Sequence, residues 1–207
     1  IHYSNGVPIP NACPYSNNDS LANIYGRLYN WEAAMNGSNI EKSQGVCPSG
    51  WHIPNDNEWQ TLIDYLGGEN IAGYKLKESG TTHWANPNTG ENLSGFSALA
   101  AGSGYNCSWF DLAGTHAEFW TSTEIDNYSA KNRSLANQEN AVFRHYNQDK
   151  PKNFSVRCLR TISTDATGIN TVDVNLNISP NPVKDMLVVT SSGLNNYVLE
   201  IIDLTGK

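Results

Sequence analysis

Charge is scarce in this sequence, and basic charge is the scarcer kind. Charged side chains make up only 16% of the 207 residues, with 13 Lys and Arg against 20 Asp and Glu. The formal net charge is −7 and the pI is near 5.1. No stretch clusters Lys or Arg, so the phosphate neutralisation that nucleic-acid binding demands is missing, and no nucleic acid is expected as a partner. No apolar run approaches the roughly 20 residues that span a bilayer, so no transmembrane segment is expected. No signal peptide opens the chain, and Ile1-His2-Tyr3-Ser4 reads as a mature or trimmed start.

Motifs of chemistry are missing too. The five histidines, His2, His52, His83, His116 and His145, keep no HExxH or comparable ligand spacing. There is no GxSxG elbow, phosphate loop or dinucleotide fingerprint. No CxxC pair is present to hold zinc or exchange disulfides. Carboxylates such as Glu118 with Glu124 or Asp126 could pair, but any acidic chain offers such pairs, and alone they argue weakly for glycoside hydrolysis. His52, just ahead of a predicted helix, reads as a structural hydrogen-bonding residue. The chain is therefore expected not to be an enzyme and to need no cofactor. A metal ligand set is not assigned, although Asp and Asn oxygens are plentiful in the loops and no EF-type spacing is present.

What is present fits a globular, exported chain. Hydrophobic residues reach 39%, enough for a core, and Asn is the most frequent residue. Six Trp and ten Tyr stand on this amide-rich background; such rings fill cores or meet carbohydrate and protein. Cys13, Cys47, Cys107 and Cys158 are even in number and widely scattered, which fits structural bridges in an oxidising compartment.

Along the chain, Ile1 to about Ser20 reads as an arm or loop. Leu28, Trp31 and Met35 at i, i+3, i+7, with Gly37 as a stop, predict a short helix. A second helix is better signed. Asn55 stands as N-cap with Glu58 three residues on, Trp59, Leu62, Ile63 and Leu66 form the apolar stripe, and Gly67-Gly68 ends it. From Ile71 to Arg160, the pieces 96–100, 119–123, 141–146 and 154–159 alternate with loops rich in Gly, Asn and Ser and predict antiparallel strands. Helices first and a loop-rich sheet after them make the class α+β. Residues 161–168 are small and polar, and the expected organisation is a domain over 1–163, a linker over 164–174 and a second unit over 175–207. The strands expected there, Met186–Thr190 and Tyr197–Asp203, are too few to bury a core unaided.

Tyr25-Gly26-Arg27-Leu28-Tyr29-Asn30-Trp31, Gly45-Val46-Cys47-Pro48-Ser49-Gly50-Trp51-His52-Ile53-Pro54, Gly95-Phe96-Ser97-Ala98-Leu99, Phe119-Trp120-Thr121-Ser122-Thr123-Glu124 and Phe154-Ser155-Val156-Arg157-Cys158-Leu159-Arg160 resemble the Fibrobacter succinogenes major paralogous domain in order and spacing. The resemblance implies a layout like the C-type-lectin-like and formylglycine-generating-enzyme-like folds: two helices on a twisted antiparallel sheet, with long loops above. It also implies a Cys47–Cys158 bridge, leaving Cys13 and Cys107 to pair with each other. Formylglycine-generating relatives are oxidases that use two neighbouring cysteines late in the domain. Only Cys158 lies there, so a degenerate relative of such oxidases is the weakest reading. Calcium-dependent lectins use Glu-Pro-Asn or Gln-Pro-Asp with Trp-Asn-Asp; Ala85-Asn86-Pro87-Asn88 echoes this in part and reads as a turn.

The tail is similar to the type A C-terminal sorting domain of the type IX secretion system of Bacteroidota, through Ile178-Ser179-Pro180-Asn181-Pro182 and Ile201-Ile202-Asp203-Leu204-Thr205-Gly206-Lys207. Pro180, Asn181, Pro182, Asp203, Gly206 and Lys207 would carry the signal, in a truncated β-sandwich. The implied partners are the outer-membrane translocon and its shuttle, and the implied route runs through the periplasm to release or attachment at the outer surface. The expected function is a secreted surface binding or adhesion module with a glycan or surface-protein ligand. The alternative is a structural surface protein without a ligand. Recognition is expected on turn-rich segments carrying His83, Trp84, Tyr105, Trp109 and Phe110, where no alternation demands that the rings point inward.

Overall fold

The computed structural model describes residues 12–161 and four short strands outside them. The chain divides into two compact units, Ile1–Ile162 and Ser163–Lys207. In the first, strands β1 (Tyr3–Ser4) and β2 (Val7–Pro8) pair antiparallel. Then come β3 (Ala12–Cys13), helix α1 (Asp19–Tyr25), β4 (Leu28–Tyr29), helix α2 (Trp31–Ala34), β5 (Trp51–His52), and helices α3 (Asp56–Tyr65) and α4 (Glu69–Leu76). The strand-rich part follows: β6 (Ser103–Tyr105), β7 (Trp109–Asp111), β8 (His116–Glu124), β9 (Ser129–Ala136), β10 (Val142–Asp149), β11 (Lys152–Asn153) and β12 (Leu159–Arg160). In the second unit, β13 (Asn177–Ser179) pairs antiparallel with β14 (Val188–Thr190). The linker expected over 164–174, the strand expected over 197–203, and Pro180, Asn181, Pro182, Asp203, Gly206 and Lys207 lie outside the described residues.

Helix α3 forms as its sequence dictates. The Asn55 side chain accepts from the Glu58 N–H at 2.9 Å, and the Glu58 carboxylate accepts from the Asn55 N–H at 3.0 Å, a reciprocal capping box. Gly67 and Gly68 then take positive φ, which stops α3 and turns the chain straight into α4. Helix α4 lies largely in the stretch from Ile71 that the sequence pattern assigns to loop. It carries Gly73 mid-helix, where any Cβ would meet the Ala141 carbonyl oxygen at 2.4 Å, so the glycine lets the helix lie against the β9–β10 turn.

The first expected helix begins later than the apolar spacing suggests. Leu28 and Tyr29 extend as β4, pairing with β3, and Asn30 caps a helix that starts at Trp31, its side chain accepting from the Ala33 N–H at 2.8 Å. Leu28, Trp31 and Met35 are all buried nonetheless. Asp19 and Ser20, expected in a loop, open α1 behind the cap Asn18. Residues 96–100 make only an isolated bridge, Ala98 to Lys77. The 154–159 piece breaks into bridges at Phe154 and Ser155 before Leu159 and Arg160 join β5.

The main sheet has the order β10-β9-β8, antiparallel throughout, and its register sorts side chains onto two faces. One face presents Ala117, Phe119, Leu135 and Val142 to Trp59, Ile63 and Leu66 of the α3 stripe and to Leu76 and Trp84, closing one core. The other carries Trp120 into a second core with Tyr29, Trp31, Met35, Ile53 and Phe154. There the Trp120 indole donates to the Tyr29 carbonyl at 2.8 Å. A smaller sheet, β11-β6-β7, stands beside it. The class is α+β, with four α-helices and several small antiparallel sheets among the described residues.

The middle of the central strand β9 is both buried and polar: Asn132, Arg133 and Ser134 are at most 2% exposed. Buried charge persists only when paired. Arg133 Nε donates to Asp56 Oδ1 at 3.0 Å, Arg144 Nε to Asp56 Oδ2 at 2.9 Å, and Lys131 Nζ lies 3.2 Å from Oδ2. Helix α3 is thus pinned through its first residue to two strands. Lys77, wholly buried, donates to the carbonyls of Ala136, Asn137 and Glu139 and to Thr89 Oγ1 at 2.7–3.0 Å. Burial lowers the Lys77 ammonium to about 8, against a smaller upward pull from Glu139.

Two disulfides staple this unit, Cys47–Cys158 and Cys13–Cys107, the pairing the resemblance implies. The first joins the segment before β5 to the segment before β12, and the second joins β3 to the β6–β7 turn. They fit an extracellular or secreted protein. No helix among the described residues is long and apolar enough to cross a membrane.

Candidate binding site

The five residues expected on one recognition face are divided by the structure. Trp84 is 1% exposed, its indole donates to the Ala98 carbonyl at 2.9 Å, and Lys77 Nζ lies 5.4 Å from its ring centroid, so it is a core residue. His83 sits with Nδ1 2.9 Å from the Glu78 carboxylate and edge-on to Tyr25. Phe110 packs on Tyr15 at 5.3 Å between ring centroids. Tyr105 and Trp109 remain together: they are direct cross-strand partners in the β6–β7 hairpin, 40% and 59% exposed. Phe110, next to Trp109 in an extended strand, takes the opposite face, which explains the division.

Tyr105 and Trp109 border a cavity of about 260 Å³ between this hairpin and the second face of the main sheet. Ser103, Gly104 and Leu112 of the hairpin region and Phe154 supply the rest of its small or apolar wall. Its polar groups are Glu118 from β8, His145 and Gln148 from β10, and Lys152 from β11. Register gathers three of them: Glu118 stands opposite Ser134, His145 opposite Asn132 and Gln148 opposite Ala130, on one face of the main sheet, while Lys152 reaches the cavity from β11 opposite Tyr105.

The electrostatics follow from burial. Glu118 is 8% exposed, and burial raises its carboxyl to about 7, while the Asn132 hydrogen bond and the Lys152 charge pull the other way. The Asn132 amide is its only hydrogen-bond donor among the described residues. Burial lowers the His145 imidazole, and the charges of Lys152 and His116 lower it further, which favours its neutral form. His145 Nε2 lies 2.8 Å from Ser134 Oγ, but that hydroxyl is 2% exposed on the central strand, beyond the reach of a ligand, and serves to orient the ring. Lys152 Nζ donates to Gln148 Oε1 at 2.7 Å, fixing both long side chains.

The other candidates hold structural posts. Glu124 pairs with Lys150, and Asp126 Oδ1 accepts from the Tyr128 and Ser129 N–H groups and the Ser129 hydroxyl at 2.8 Å, so neither teams with Glu118. His52 bridges Thr161 Oγ1 at 2.8 Å and the Glu58 carboxylate at 3.2 Å, tying β5 to α3. The Asn88 amide donates to the Glu78 and Gly80 carbonyls, holding a turn. Among the described residues no group of three or more His, Cys, Asp and Glu gathers to hold a metal ion. Sequence reasoning missed Gln148 and Lys152 as site residues; their signal was the alternation of β10 and the short return of the chain through β11.

A disulfide-stapled α+β domain, with a small cavity edged by the exposed rings of Tyr105 and Trp109, is thus defined. The chain belongs to the Fibrobacter succinogenes major domain family, whose model matches residues 1–160. No curated protein and no solved structure matches it.

Proposed function

We propose that this chain is a secreted, non-enzymatic surface module that binds a small ligand group in the Tyr105–Trp109 cavity. The observation that carries this reading is the pair of exposed cross-strand rings set beside a nearly buried, singly bonded carboxyl. Exposed rings on a rigid hairpin are natural anchors for a ligand. The Cys13–Cys107 bridge fastens that hairpin's turn, so little entropy is lost when a ligand settles on it. Polar groups tied up in structural hydrogen bonds, Ser134 and His145 among them, support binding over catalysis. The helix-on-sheet layout supports the C-type-lectin-like comparison.

Export as cargo of the type IX secretion system, with the tail as signal, is supported by the resemblance of residues 178–182 and 201–207 to that system's sorting domain and by the two disulfides. Binding of the full chain and of its Trp109→Ala variant to immobilised glycans and surface proteins tests the module. Loss in the variant supports it; no binding by the full chain favours a structural surface protein without a ligand. Deleting everything after Ser163 should leave the first unit in the periplasm of a type IX-competent host. Arrival of the truncated protein at the surface would remove the sorting role.

A further inference from the structure

We propose that the Tyr105–Trp109 cavity receives the ring of a single neutral hexopyranose, its C–H face stacked on the aromatic pair and its hydroxyl edge turned to Glu118, His145 and Gln148. This deepens the binding-module reading and rests on it.

The argument begins with size. About 260 Å³ lies just under the roughly 300–1,000 Å³ typical of sites for drug-sized ligands, so one ring fits and an extended chain does not. Charge narrows the choice further. Among the described lining residues Lys152 is the one cation, and it is already bonded to Gln148, while Glu118 stands in the same cavity. A phosphate or carboxylate would meet that carboxyl and find no fork of donors to hold it. A flat apolar ligand is disfavoured from the other side, because it would strip water from the remaining hydrogen-bonding capacity of Glu118, His145 and Gln148, each of which has one partner already.

A pyranose meets both demands at once. Its axial C–H groups give an apolar face that matches an amphipathic ring, and its equatorial hydroxyls each donate and accept. The lining supplies complementary roles: a carboxyl with one oxygen bonded only to Asn132, an imidazole oriented through Ser134, and an amide oriented through Lys152. Polar groups locked in place before the ligand arrives lose little entropy on binding. The cross-strand register of Tyr105 with Trp109 sets both rings on the same face of the hairpin, at the rim of the cavity.

Saturation-transfer NMR on the full chain, with glucose, galactose, mannose and N-acetylglucosamine as probes, tests the assignment. Expected is saturation of at least one sugar, strongest on the C–H protons of one ring face. It should fall at least tenfold in Trp109→Ala and in Glu118→Ala, persist within threefold in Glu118→Gln, and be unchanged in Tyr65→Ala, an exposed ring on α3 remote from the cavity. Circular dichroism melts separate loss of binding from loss of fold, and Glu118→Gln keeps the test alive if Glu118→Ala unfolds. Saturation that survives Trp109→Ala overturns the site. If no sugar is saturated while an immobilised protein binds through Trp109, the sugar assignment falls and the module stands. If nothing binds, both fall.

Discussion

Asp56 and Arg133 form an ion pair with 3% and 1% of their side chains exposed, Nε to Oδ1 at 3.0 Å, joining the first turn of α3 to the middle strand of the sheet. Removing one partner strands the other's charge in the interior. Asp56→Ala is expected to lower stability by about 3–5 kcal/mol, read from urea denaturation, whereas removing both charges with Asp56→Ala and Arg133→Met should cost less than the sum of the single changes.

The same carboxylate gives an acid limb to stability. Burial by itself would raise the Asp56 carboxyl, but hydrogen bonds from Arg144 and Lys131 and the charge of Arg133 hold it below its usual 3.8. A folded value below the unfolded one means that this contribution is present above the unfolded value and lost as pH falls through the folded one. Asp56→Asn should therefore flatten the fall in stability below about pH 4. A pH series of thermal melts on both proteins checks it.

Glu118 has the opposite sign. Its folded value of about 7 lies above the ordinary 4.5, so the folded protein binds the extra proton and stability declines as pH rises from the unfolded value to the folded one. Glu118→Gln should abolish that decline, leaving the variant the more stable of the two at pH 8, by on the order of 2–3 kcal/mol. Denaturation midpoints that keep the same slope between pH 5 and 7 in both proteins would contradict the assignment.

Each disulfide closes a long loop, with sequence separations of 94 and 111 residues. In the chain-entropy model either bridge contributes about 4–5 kcal/mol. Cys13→Ala with Cys107→Ala should lower the melting temperature and loosen the β6–β7 turn first. Thermolysin cleavage near Ser108 in that variant, and its absence in the variant lacking Cys47–Cys158, would locate the effect.

Trp84 and Trp109 look alike in sequence and differ in consequence. Trp84→Ala empties a fully enclosed site and should destabilise by about 3–5 kcal/mol. Trp109→Ala, at an exposed strand position, should change stability by less than about 1 kcal/mol. Paired urea titrations of the two variants make the comparison.

That contrast marks what the sequence could disclose. The α3 cap, its apolar stripe and its glycine stop are local signals, and each appears as read. The face of a loop ring is a tertiary matter. Trp84 turns inward because the Ala98 carbonyl and the Lys77 ammonium receive it, and neither neighbour is visible in Thr82-His83-Trp84. Strand β9 escaped notice because hydrophobic alternation is the strand signal, while the buried middle of this strand is Asn132, Arg133 and Ser134, stabilised by partners on other elements. Helix α4 escaped because Gly68 and Gly73 weaken the helical pattern; what holds it is contact with the turn at Ala141. Two of the five expected recognition residues converge, since only Tyr105 and Trp109 share a register position.

The polarity of β9 also bears on the chain before it folds. Strands β8 and β10 meet only through this segment, so the sheet gains its middle when Asp56 and Glu118 arrive to receive Arg133 and Asn132. Until then Ser129-Ala130-Lys131-Asn132-Arg133-Ser134 is a hydrophilic stretch with two positive charges, the kind of gatekeeper that resists stacking with its own copies. Crowded unfolded molecules therefore find no seed for fibrils in the strand that the finished sheet needs most.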